Sequence, residues 1–251
     1  MTNQLKPQIG KSLSEIFERI YIINLPSRDD RRSEMAEQME RIGLALDTPP
    51  VELLPAIRPG DKGEWPSIGA RGCFMSHLKA IQMAETSNLT SFAIVEDDAN
   101  WTPMFLNTAP EEVASWKSGN WEFMHGGRHQ LERTNRNTQL VQLRENESIL
   151  TTHFIGLRGR AIKLASNYLS AMATRAGGDP AGGPMHVDGA YNWFRRSNPD
   201  VVSVMCRPGT AYQRSSKTDI HDLKLIDRIK VMSKPLSWLR RQRNQIRDGL
   251  D

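Results

Sequence analysis

The chain has 251 residues, a net charge of +4, 38% hydrophobic and 25% charged residues, and two cysteines. That composition is ordinary for a folded globular protein and excludes a low-complexity chain or a framework of disulfides. No apolar run approaches the ~18 residues that a bilayer span needs, and Met1 to Ser14 lacks the apolar centre of a signal peptide, so the expectation is a cytoplasmic protein.

The first element in chain order is Arg19-Ile20-Tyr21-Ile22-Ile23-Asn24-Leu25, a β-branched and aromatic run ended by Pro26-Ser27, which reads as a buried strand. Asp29 to Ile42 reads as a charged amphipathic helix stopped by Gly43. Val51 to Ile57 is a second strand, and Gly60 to Gly72 a Gly/Pro loop. Cys73 to Ala84 reads as a helix with Phe74, His77, Leu78 and Ile81 on one face. Ser91 to Val95 is the clearest buried strand and runs into Glu96-Asp97-Asp98; Thr102-Pro103 is an N-cap followed by proline at the first helical position.

Trp121 to Met124 is a further strand, Thr138 to Leu157 two strands around Glu145-Asn146, and Arg160 to Met172 a helix. After the Gly/Pro loop Ala176 to Pro184 come a helix over His186 to Arg196 and a strand over Val201 to Met205. Strands alternating with helices predict an α/β sheet covered by helices, with ligands beyond the carboxyl ends of the strands. No G-x-G-x-x-G follows the first strand, which disfavours a dinucleotide-binding fold.

The net charge is concentrated. Lys217 to Asp251 holds nine Lys/Arg and five Asp/Glu, so the body before it is neutral. A neutral body with a basic tail argues for one anionic contact and against a nucleic-acid-binding face. In 222–251, Ile226, Ile229, Leu236, Trp238 and Leu239 are interleaved with lysines and arginines. Two readings fit: a stretch lying on an anionic membrane, and a helix packed on the body with solvated cations.

Three adjacent acids after an apolar strand point to a cation, because buried carboxylates are costly unless paired or metal-bound. In extended chain Glu96 and Asp98 share a side, and two oxygen ligands suit Mg²⁺ or Mn²⁺. A solvated turn is the alternative. Asn24 to Arg32 joins a strand end to a helix start under several arginines, which suits phosphate; a charged first helical turn is the plainer reading. Ser76 and His77 lie in the first turns of a helix after a glycine loop. Asp188 fits either a general base or a helix cap, and Tyr212 to His221 either a segment closing over a ligand or an exposed loop.

Together these stretches resemble glycosyltransferase family 25, which includes lipooligosaccharide and collagen galactosyltransferases. The matching residues are Tyr21-Ile22-Ile23-Asn24-Leu25 with Arg28, Asp30 and Arg31; Gly72-Cys73 with Ser76-His77-Leu78; Ile94-Val95-Glu96-Asp97-Asp98-Ala99; and later Asp188 and Gln213, Ser216 and Asp219-Ile220. Ile81 replaces an aromatic and Thr218 a serine that the family often carries there.

The resemblance implies a GT-A-type fold with a single central mixed sheet flanked by helices, spanning 19–221 between an N-terminal extension (1–18) and the basic tail (222–251). It implies a UDP-sugar donor, Mn²⁺ or Mg²⁺, inversion at the anomeric carbon, and a glycan or lipid-linked acceptor. On it, Glu96 and Asp98 hold the metal with His221, and Asn24, Arg28, Arg31, Ser76, His77, Asp97, Gln213 and Asp219 face the donor. Asp188 is the base. The rivals are a sugar-binding protein without activity and a metal-dependent phosphodiesterase, which needs further Asp/His ligands for a second metal.

Overall fold

A computed structural model of the chain describes residues 6–127 and 138–214. In chain order its elements are α1 (Lys6–Ile16), β1 (Arg19–Asn24), α2 (Asp29–Arg41), β2 (Val51–Pro55), α3 (Ile68–Thr86), β3 (Ser91–Glu96) and β4 (Ala99–Trp101). There follow α4 (Pro103–Leu106), α5 (Pro110–Ser115), β5 (Phe123–His125), β6 (Gln139–Gln142), β7 (Phe154–Arg158), α6 (Arg160–Thr174), α7 (Val187–Ser197), β8 (Ser203–Arg207) and β9 (Ala211–Gln213).

Seven strands form one mixed sheet in the order β2-β1-β3-β7-β5-β8-β6. β1 is parallel to both β2 and β3, and β5 is parallel to β8. β7 runs antiparallel to β3 and β5, and β6 antiparallel to β8. β4 and β9 make a separate antiparallel ribbon. The α/β expectation, a central mixed sheet flanked by helices, is borne out.

β1 and β3 are buried on both faces, which is why they read as continuous apolar runs. Tyr21, Ile23, Phe92 and Ile94 enter one core with residues of α3, α6 and α7. Ile20, Ile22, Ala93 and Val95 enter a second core with α1, α2, α4 and α5. The period of two thus sends alternate residues of each strand to opposite cores. Ile9, Leu13 and Ile16 of α1 are buried in the second core, although the segment before residue 19 reads as an extension in the sequence.

One local expectation, the start of α3, is corrected. Helix α3 begins at Ile68, inside the segment expected as a loop, because Ser67 caps it by accepting from Ala70 N at 3.0 Å. Its Gly72 is there for close approach: a Cβ would lie 2.7 Å from the Ile57 carbonyl oxygen. The two strands expected around Glu145-Asn146 form as β6 and β7; β6 joins β8, and β7 joins β3 and β5. Helix α7 has His186 at its N-cap position with no side-chain cap hydrogen bond, and Asp188 stands in the first turn, where it accepts from Gly189 N at 2.7 Å. Thr102 does cap α4, accepting from Phe105 N at 3.1 Å.

Among the described residues no helix is long and apolar enough to cross a membrane. Asp219, His221 and the basic stretch 222–251 lie outside the described residues.

Candidate active site

The carboxyl ends of β1 and β3 open onto a cleft of about 820 Å³. Glu96, Asp97 and Asp98 line it together with Arg31, Ser76 and His77, and loop 56–62 and the start of α3 form its other wall. β3 ends at Glu96 and the chain turns at Asp97-Asp98, so the strand's alternation does not carry through the three acids. Each carboxylate is instead aimed by its own partners.

Asp97 is the most completely paired. Asn24 at the end of β1 donates Nδ2 to its Oδ2 at 2.8 Å, and Arg31 of α2 donates Nη1 to its Oδ1 at 2.8 Å. All three side chains are buried. The turn is held again from β9: Arg214 donates Nη2 to the Asp97 carbonyl, and its amide to the Asp98 carbonyl, each at 2.7 Å. Arg214 also donates Nη1 to Asn100 Oδ1 at 2.7 Å and pairs with Glu34.

Asp98 differs. Gln213 donates Nε2 to its Oδ2 at 3.1 Å, and Arg31 Nη1 stands 3.6 Å from the same oxygen. The other oxygen, Oδ1, is buried with no hydrogen-bond partner. Burial, followed by the charge of Glu96, raises this carboxyl to about 6.

Glu96 turns toward α3 and β7. Its Oε1 accepts from His77 Nε2 at 3.2 Å and from Thr152 Oγ1 at 2.5 Å. Burial opposes its ionisation, but the His77 and Thr152 hydrogen bonds outweigh that, and its pKa is lowered. The other ring nitrogen of His77, Nδ1, bonds the Tyr191 hydroxyl of α7 at 3.1 Å. Ser76 accepts from Ile57 N at 2.8 Å and donates to the Gly72 carbonyl at 2.7 Å, so it shapes the cleft wall.

A smaller cavity of about 170 Å³ adjoins the cleft through shared Cys73 and Glu96. Asp188, His186, Thr151, Thr152, His153 and Gln213 line it. Asp188 accepts from Gly189 N at 2.7 Å and from Thr151 N at 3.4 Å. The buried His153 is kept toward its neutral form, chiefly by burial.

Of the residues singled out in the sequence, the structure gathers Asn24, Arg31, Ser76, His77, Glu96, Asp97, Asp98 and Gln213 around the cleft, with Asp188 in the adjoining cavity. Arg28 instead pairs with Asp30 at the start of α2. Sequence reasoning passed over Tyr191, Thr152 and Arg214. Tyr191 lies one helical turn after Asp188, which is a readable spacing; Thr152 and Arg214 carry no such signal. Cys73 and Cys206 are both free, but only Cys206 is fully buried; Cys73 stands at the junction of the two cavities.

No family model matches the chain. Among curated proteins it is similar to a "Glycosyltransferase 25 family member" of Anopheles gambiae, at 25% identity over 151 residues, 51% of this chain and 26% of that protein. Proteins of the same description from Aedes aegypti and Drosophila melanogaster match at 25% identity over 45% and 46% of this chain. The chain spans about a quarter of the length of these relatives. They support the resemblance to family 25 carried by the sequence motifs. Among solved structures it is similar to a "glycosyltransferase involved in the glycosylation of the major capsid of PBCV-1", with a TM-score of 0.45 and 11% identity over 79% of this chain and 94% of that one.

Proposed function

We propose that the protein is a glycosyltransferase that binds a UDP-sugar, UDP-galactose or another UDP-hexose, in the 820 Å³ cleft and transfers the hexose with inversion to a glycan acceptor. The observation that carries this reading is the unsatisfied Asp98 oxygen beside Glu96 at the cleft floor. A buried carboxylate oxygen without a donor is costly, and a divalent cation removes that cost. Glu96 and Asp98 fit such an ion, with oxygen ligands that suit Mn²⁺ or Mg²⁺. When bound, the ion neutralises diphosphate charge as the bond to the sugar breaks.

The chain's own residues supply the rest. Arg58, Lys62 and the N-terminus of α3 line the cleft with the acids, offering positive charge and a helix end to a diphosphate. Arg31 and Asn24 hold Asp97 and so fix the turn that carries Asp98. The acceptor hydroxyl enters from the smaller cavity, where Asp188 takes its proton as the oxygen attacks the anomeric carbon. The electron pair of the breaking carbon–oxygen bond leaves with UDP. His221 and Asp219 belong to this proposal as a third cation ligand and a donor contact. A lipid-linked or lipopolysaccharide acceptor at a membrane surface, met by the basic stretch 222–251, belongs to it as well. A panel of nucleotide-sugars with Mn²⁺, scored for UDP release, tests the reading; no release from any donor in folded protein overturns it.

A further inference from the structure

We propose that Cys73, His77 and Glu96 form a second cation site, selective for a soft divalent ion such as Zn²⁺, and that it shares Glu96 with the hard-cation site. Cys73 and His77 are i and i+4 on α3, the spacing that puts two ligands on one helix face. Glu96 approaches that face from the end of β3. The three ligand atoms lie within 4.8 Å of one another. His77 Nε2 is 3.2 Å from Glu96 Oε1, and Cys73 Sγ is 3.9 Å from the same oxygen. Ordinary Zn–N, Zn–O and Zn–S bond lengths give tetrahedral edges of about 3.4 Å for N···O and about 3.6 Å for S···O. The existing geometry is within a few tenths of an ångström of both.

The surroundings also suit an ion. All three residues line the large cleft, which gives an entry path and leaves a fourth position open. Tyr191 already bonds His77 Nδ1, and its hydroxyl can accept from Nδ1–H once Nε2 binds metal; ligating imidazoles are ordinarily held this way. The charges of Glu96, Asp98 and Asp188 all act on Cys73, so the site is electronegative. Thiolate and imidazole favour Zn²⁺ over Mg²⁺ or Mn²⁺. Zn²⁺ bound here draws on the Glu96 carboxylate that the cation at Asp98 also uses, so the two sites are coupled. That consequence rests on the proposed transferase reading, whereas the site itself does not.

The experiment is a titration of the metal-free full-length protein with Co²⁺, a spectroscopic stand-in for Zn²⁺. The expected result is one equivalent bound with a sulfur-to-cobalt charge-transfer band, removed by Zn²⁺ and absent in Cys73→Ser of unchanged circular dichroism. Wild-type protein without that band, or a band that persists in Cys73→Ser, overturns the proposal. His77→Gln is the second variant and should weaken Co²⁺ binding by about tenfold or more, roughly the effect of disturbing a ligating imidazole. If no nucleotide-sugar is turned over at all, the transferase reading fails, and the cobalt spectrum still decides this site.

Discussion

Asp97 and Asp98 are adjacent in sequence and both buried at the floor of one cleft, yet their surroundings differ. Both oxygens of Asp97 are hydrogen-bonded, to Asn24 and to Arg31, and its carbonyl is held by Arg214. Asp98 has one oxygen on Gln213 and one with no donor, and its carboxyl is raised by burial and by Glu96. The first arrangement is a closed ion-pair network that ties β1, α2 and β9 to the end of β3. The second stores an unfavourable interaction that, on the proposed reading, a cation relieves. What separates the two carboxylates is satisfaction of their oxygens rather than burial, and the proposed reading assigns the unsatisfied one to function.

The sharpest way to break that contrast is to remove each acid in turn. Asp97→Ala removes the nearest carboxylate of the buried Arg31 and leaves Asp98 at 3.6 Å, and breaking a buried pair costs about 3–5 kcal/mol. Chemical denaturation should show a loss of that order; a loss below ~1 kcal/mol would mean the network is not structural. Asp188→Asn tests the smaller cavity. It removes the proposed base and keeps an acceptor oxygen for Gly189 N, so transfer should fall by about 10²- to 10⁴-fold with UDP-sugar affinity and melting temperature nearly unchanged. A near-normal rate would remove Asp188 from the mechanism.

Tyr191→Phe deletes one hydrogen bond to His77, and so loosens the ring that holds Glu96. A stability loss of about 1 kcal/mol is expected, with a weaker Mn²⁺ affinity as the readout that packing alone does not move. The pH dependence is the smallest effect. Asp98 has its carboxyl raised to about 6 from an ordinary 3.8, so the folded state binds the extra proton across that window. Its contribution is most favourable below pH ~4 and is lost as pH rises through ~6. Added Mn²⁺ should restore stability above that range; metal-free melts from pH 4 to 7, with and without Mn²⁺, check the sign. Glu96, lowered, works oppositely and loses its contribution as pH falls.

How much of this the sequence discloses follows from the range of the interactions. β1 and β3 are legible because burial on both faces leaves uninterrupted apolar runs. The start of α3 is not, since Gly69 and Gly72 look like loop residues until Gly72 is seen against the Ile57 carbonyl. The short strands β4 and β9 are illegible, being three residues each and paired across more than a hundred positions. Glu96-Asp97-Asp98 stands out as a motif, but its division of labour depends on Asn24, Arg31 and Gln213, which only folding brings near. Cys73 has no second cysteine at metal-ligand spacing in the sequence, and only the path of β3 beside α3 places it at the cleft.

The central claim is that the unsatisfied Asp98 carboxylate holds a cation needed for sugar transfer. It is tested most directly by measuring Mn²⁺ affinity and UDP release for wild type and Asp98→Asn side by side. The account predicts a variant at least as stable as wild type without metal, with much weakened Mn²⁺ binding. Turnover should be reduced by about 10²-fold or more, a barrier increase of about 2.7 kcal/mol. A folded Asp98→Asn protein that binds Mn²⁺ and releases UDP at the wild-type rate would contradict it.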